Sequence, residues 1–130
     1  MYEGHDDAMT RLAGSFTGHL LAATVKLWEY MPHTYGYAWP YPQVLEVLKQ
    51  IKENNYVVLG GDVLQKRGTS FEYESSNWYV KSRPMESWGD YVARSYEESV
   101  TYINKFPDKD GAFIFALVFV DESGFRCLQK

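Results

Sequence analysis

The chain has 130 residues, the length of one ordinary domain, and 45% of them are hydrophobic against 23% charged, which excludes wholesale disorder. A formal net charge of -4 excludes the basic footprint expected of a dedicated nucleic-acid binder, so no nucleic-acid partner is expected. The unusual feature is an aromatic fraction of 17%, with 11 Tyr, 7 Phe and 4 Trp, residues that suit half-buried and partner-facing positions.

The start, MYEGHDDAM, is acidic and has no apolar run behind it, so no signal peptide is expected. Leu12, Phe16, Leu20 or Leu21, Val25 and Trp28 recur at roughly helical spacing and predict an amphipathic helix, weakened by Gly14 and Gly18 and ended by Pro32. From Met31 to Tyr41 two prolines and Gly36 interrupt any period, which reads as an aromatic-rich loop. Pro42 suits the first turn of a second helix with Val44, Leu45, Val47, Leu48 and Ile51 as its apolar stripe, and Asn54-Asn55 suits its end. Tyr56–Leu59 reads as a buried strand, interrupted by Gly60-Gly61 and resumed at Asp62–Gln65 beyond a bulge or bend.

Lys66–Ser70 is a polar turn. Phe71 and Tyr73 alternate with Glu72 and Glu74 as in a half-exposed strand, and Asn77–Val80 extends or follows it. Ser87 and Asp90 match a capping box that opens a third helix to about Lys105, stopped by Pro107 and the Asp108–Gly111 turn. Ala112–Val120 reads as a central strand, and Asp121–Gly124 as a hairpin turn into a last strand at Phe125–Leu128. The expected fold is α+β: one domain over residues 1–130, a mainly antiparallel sheet packed against two or three helices.

The single Cys127 cannot form an internal disulfide and favours a reducing, cytoplasmic compartment, with its side chain in or beside the core. The longest apolar run, Ala112–Val120, is far short of the roughly 20 residues that span a bilayer, so no membrane partner is expected. His5, His19 and His33 form no ligand pair on one helical turn, and the His5–Asp7 run resembles a metal cluster only superficially, so neither metal nor cofactor is expected. Ser15, between Gly14 and Gly18, lacks the strand that precedes a nucleophile elbow.

The sharpest local feature is Gly60-Gly61-Asp62-Val63. A glycine pair after a strand permits a bend or a close approach, and Asp62 can act as a base, bind a cation or cap neighbouring amides. No partner acid, base or metal cluster accompanies it in the sequence, so a structural bend is the plainer reading. Exposed aromatics rimmed by Glu72 and Glu74 would make a protein-binding patch, against the alternative of a solvated strand whose aromatics turn inward.

The stretch from Ala38 to Val63, AWPYPQVLEVLKQIKENNYVVLGGDV, resembles the immunity protein 40 family of bacterial polymorphic toxin systems. Asn77-Trp78-Tyr79 resembles that family's NWY element, and Tyr91–Ser95 through Tyr102-Ile103 its following helix. The resemblance runs from about Ala38 to Val120. Leu64 stands where an aromatic often follows, and the first 35 residues lie outside the match. The resemblance implies a non-enzymatic antitoxin that binds a cognate protein toxin and protects the producing cell. The contact residues expected on that reading are Asp62, Glu72, Tyr73, Glu74, Trp78 and Tyr79, with Trp39 as a loop anchor. The alternative is a small ligand-binding or enzymatic domain built on the bend at Gly60–Asp62, and an aromatic carbohydrate binder is a third reading.

Overall fold

Gly14 and Thr17 divide the first apolar stretch in two. In the computed structural model, which describes residues 3–106 and 112–129, α1 (Glu3–Ala13) stops before Gly14. A second helix, α2 (Gly18–Ala23), starts after Thr17, whose hydroxyl accepts from the Leu20 N–H at 3.2 Å. Glycine disfavours helix and an N-cap threonine satisfies an orphaned donor, so local chemistry selects two short helices. The single helix expected across residues 12–28 is not formed. The β-branched pair Thr24-Val25 leaves helical geometry, and β1 (Val25–Lys26) follows.

The loop expected from Met31 to Tyr41 contains a strand, β2 (Tyr37–Pro40), after a short 3-10 turn at Leu27–Glu29. Two prolines hide it from any period-2 reading. Its existence depends on a distant partner, β5 (Phe113–Val120), with Ala38, Trp39 and Pro40 opposite Ala116, Phe115 and Ile114. Pro40 closes the strand, where a missing ladder donor costs least.

Pro42 is the N-cap of α3 (Gln43–Glu53), which buries Val44, Val47, Leu48 and Ile51 on one stripe. Asn55, at a φ of 65°, turns the chain into β3 (Val57–Arg67). A tight turn through Gly68, also left-handed, joins β3 to β4 (Ser70–Tyr79). Of the two readings of Asn77–Val80, the continuation of the Phe71 strand holds as far as Tyr79, with the register shifted between the partners Asp62 and Leu64. Ser87 caps α4 (Trp88–Ile103), accepting from the Asp90 N–H at 3.1 Å.

All pairings are antiparallel, and the five strands of the sheet run in the order β1-β2-β5-β3-β4. The α+β expectation and the central place of β5 hold. The last strand does not: α5 (Glu122–Leu128) is a helix, with the Asp121 side chain accepting from the Gly124 N–H at 2.7 Å. A hairpin would need a free edge of β5, and both its edges are taken by β2 and β3. Cys127 therefore rides on an exposed helix rather than in the core. The side chains of His5, Asp6 and Asp7, and the turn at Pro107 and Asp108–Gly111, lie outside the described residues.

Helices α1, α3 and α4 form a layer over one face of the sheet. Its core joins Leu12 of α1, Leu48 of α3 and Ile103 of α4 to Trp39, Val63, Phe115 and Phe119 of the strands.

Candidate partner-binding face

The helical layer covers only one side of the sheet. Along β5, Phe113, Phe115, Leu117 and Phe119 belong to the helix-side core, so the pleat sends Ile114, Ala116 and Val118 to the other side. The chain from Leu27 to Thr34 folds across one end of this second face. Leu27 and Met31 pack there with Ala38, Leu64, Phe71 and Ile114. Ser70 Oγ donates to the Tyr30 carbonyl at 2.9 Å, and the Thr34 side chain hydrogen-bonds Tyr73. Past Tyr73 the face opens to solvent, with Val118 46% and Tyr79 74% exposed. Leu59, Gly60, Asp62, Tyr79 and Val118 line a concavity of ≈ 320 Å³ there.

The register of β3 on β4 explains why the glycines are present. Gly60, Gly61 and Asp62 stand opposite Tyr79, Trp78 and Asn77, so the two separate motifs of the sequence form one stretch of ladder. At Gly60, with φ at 155°, a Cβ would strike the Trp78 carbonyl oxygen. At Gly61 a Cβ would strike the Ala116 carbonyl oxygen and the Trp78 ring. Trp78 thereby turns into the helical layer, where its Nε1–H donates to Ser99 Oγ at 3.0 Å and its ring stacks on Tyr102 at 4.8 Å between centroids. The pleat then places Asn77 and Tyr79 on the open side, beside Asp62.

A bulge between Val58 and Gly60 interrupts the ladder to β5. The buried Ser95 hydroxyl accepts from the Val58 N–H at 3.0 Å and donates to the Val92 carbonyl at 3.0 Å, so the irregularity leaves no orphaned amide at Val58.

Asp62 is half-buried, and burial pushes its carboxyl above the ordinary 3.8. Its cross-strand neighbours are Asn77 and Ala116, which supply no positive charge. No hydrogen bond or ion pair engages its side chain among the described residues. Tyr73 is close enough to sense the charge: its hydroxyl is pushed up by burial and by Asp62, and held back by Thr34. Chemically, the face offers one half-desolvated carboxylate between two tyrosines on an apolar floor.

The contact residues expected from sequence separate accordingly. Asp62, Tyr73 and Tyr79 share the open face. Glu72 pairs opposite Gln65, hence on the reverse side, and forms an exposed ion pair with Arg67 at 2.6 Å, which Glu74 also approaches. Trp78 is buried, following the inward-turned alternative, while its neighbour Tyr79 is exposed. Trp39 is fully buried, its Nε1–H donating to Thr24 Oγ1 at 2.8 Å, and so is a strand residue of the core rather than a loop anchor. Sequence reading missed Val118, Leu59 and Asn77. The period-2 alternation of Ile114, Ala116 and Val118 was the available signal for Val118.

A second concavity, of ≈ 440 Å³, lies between β4 and α4, lined by Trp78, Tyr79, Glu97, Glu98, Tyr102 and Lys105. Tyr79 stands on the rim of both. Among the described residues no group of three or more His, Cys, Asp or Glu could hold a metal ion, and no helix is long and apolar enough to cross a membrane.

These features define a helix-backed antiparallel sheet with one face partly covered by its own chain and partly open. The family model of Immunity protein 40 matches residues 27–119, and the chain belongs to that family. The match takes in the covering segment, α3, α4 and the strands of the open face, and it starts before the Ala38 boundary of the sequence resemblance. No curated protein and no solved structure matches the chain.

Proposed function

We propose that this chain is a bacterial immunity protein that binds a cognate toxin domain and neutralises it, protecting the cytoplasm of the producing cell without turnover. Membership of the Immunity protein 40 family supports the reading, and the observation that carries it to a surface is the open end of the sheet. Tyr79, Tyr73 and Val118 are exposed there around Asp62. Aromatic side chains that are already held by a sheet bury much area on binding and lose little freedom, which is the composition of an interface centre.

Co-expression with the toxin domain encoded beside the gene tests the proposal. Growth rescue and co-purification are the expected result, and rescue is lost when Tyr79 is replaced by Ala together with Val118 by Asp. Failure of the parent chain to rescue growth or to bind would overturn it.

A further inference from the structure

Asp62 stands out from the other carboxylates of the described chain by its setting. Glu72, Glu86, Glu98, Asp121 and Glu122 are each paired with an arginine, and Glu74 lies near Arg67. Glu29, Glu46, Glu53, Asp90 and Glu97, which have no ion pair among the described residues, are exposed. Asp62 is half-buried, on an apolar floor, with Asn77 and Ala116 as its cross-strand neighbours and no cation in contact among the described residues. An unpaired charge in such a place works against folding, and asparagine would fill the same volume without that cost. A half-desolvated carboxylate of this kind is open to a counter-charge brought by a complex.

We propose that Asp62 is the receptor for one basic side chain of the partner protein, inserted into the concavity beside Tyr79 with Val118 and Leu59 beneath its stem. This rests on the proposed immunity function and specifies the chemistry of its contact. The carboxylate supplies the counter-charge, and the exposed tyrosine faces suit a cation approaching it. Arginine fits better than lysine, because its planar guanidinium can stack on a ring while it bridges the carboxylate. A second copy of this chain is the wrong occupant. A two-fold contact through this face would bring two Asp62 carboxylates towards each other, between chains that each carry a net charge of -4. The partner is thus a different protein that projects a basic side chain into this concavity.

The test uses the full chain, the toxin domain encoded beside it in a catalytically inactive form, and calorimetric titration. Asp62→Asn is expected to weaken binding roughly 30-fold, in the range for truncating one member of a desolvated interfacial charge pair. Glu53→Gln, on α3 of the helical layer, is expected to leave affinity unchanged. Asp62→Lys is expected to abolish binding, and replacing one arginine or lysine of the toxin by Glu is expected to restore it. Sedimentation of the chain alone should show no self-association through this face.

Three results would overturn the inference: affinity of Asp62→Asn within twofold of the parent, no basic toxin residue coupled to Asp62, or a dimer of this chain that Asp62 substitutions dissociate. If the parent binds but Asp62→Asn is silent, the charge assignment fails and the immunity reading stands. If the parent does not bind, both fail.

Discussion

The indole ring of Trp78 occupies the space that a side chain on Gly61, its cross-strand partner, would need. This single relationship orients the hairpin. It anchors Trp78 in the helical layer through Ser99 and Tyr102, and by the alternation of the strand it turns Tyr79 and Asn77 outward beside Asp62. The glycine pair, whose sequence allows a bend or a close approach, acts as a seat for a tryptophan.

Gly61→Ala should therefore disturb both neighbours at once. The added methyl meets the Ala116 carbonyl oxygen, which is backbone and cannot move aside, as well as the Trp78 ring. A loss of about 3 kcal/mol is expected, read as a lower denaturant midpoint, with Tm down by roughly 10 °C. A midpoint equal to that of the parent would disprove the seat.

The Trp78–Ser99 hydrogen bond is buried, so removing the acceptor alone leaves an orphaned indole donor. Ser99→Ala should cost about 1–3 kcal/mol. Trp78→Phe removes the donor as well, and a double-mutant cycle of the two should give a coupling of about 1 kcal/mol, where additive losses would show that the bond contributes nothing.

Asp62 gives a stability signature of opposite sign. Burial raises its carboxyl above 3.8, so the folded state holds that proton more tightly than the unfolded state does. Its contribution to stability is present at low pH and is lost as pH rises through the folded value. Asp62→Asn removes that loss. The variant should melt above the parent at pH 7, with the gap closing towards pH 3. A variant that melts lower at pH 7 would mean that Asp62 has a stabilising role in the fold.

Glu86 behaves in the ordinary acidic sense. Arg94 binds it through two contacts, Nε to Oε2 at 2.7 Å and Nη2 to Oε1 at 2.8 Å, and holds its carboxyl down to about 2 from the usual 4.5. Arg94 also donates to the Lys81 carbonyl at 2.6 Å and pairs with Glu98, tying the β4–α4 connection to the helix. The stabilisation is fully present above pH 4.5 and is lost as pH falls towards 2. Glu86→Gln should lower Tm at pH 7 and flatten the acid limb between pH 4.5 and 2. An unchanged acid limb would show that this pair is not what acid breaks.

How much was legible follows from what each element depends on. The stripe of α3, the Ser87 cap of α4, the turn at Gly68 and the apolar run of β5 were readable because each is specified by residues a few positions apart. The division of α1 from α2 was signalled by Gly14 and Gly18, but the threonine cap between them was not read as a helix start. At Asp121 one local motif fits two outcomes, since an acidic residue before Ser-Gly can open a hairpin or cap a helix, and the occupied edges of β5 select the helix. Of the expected contact set, Asp62, Tyr73 and Tyr79 lie on the open face while Glu72, Trp78 and Trp39 lie on the helix side, because strand register decides faces and a single shift exchanges them.

The aromatic excess shows the same division. The sequence by itself determined an aromatic fraction of 17%, on a modestly acidic domain with helical and strand periodicities in a definite order. Only the tertiary structure decided which of them are core. It placed Trp39, Trp78 and Phe115 under the helices and left Tyr73 and Tyr79 exposed on the face of the half-buried Asp62. The reason is physical: periodicity is a property of neighbours along the chain, whereas a face of a sheet is fixed by which strands pair, in which register, and what lies across them.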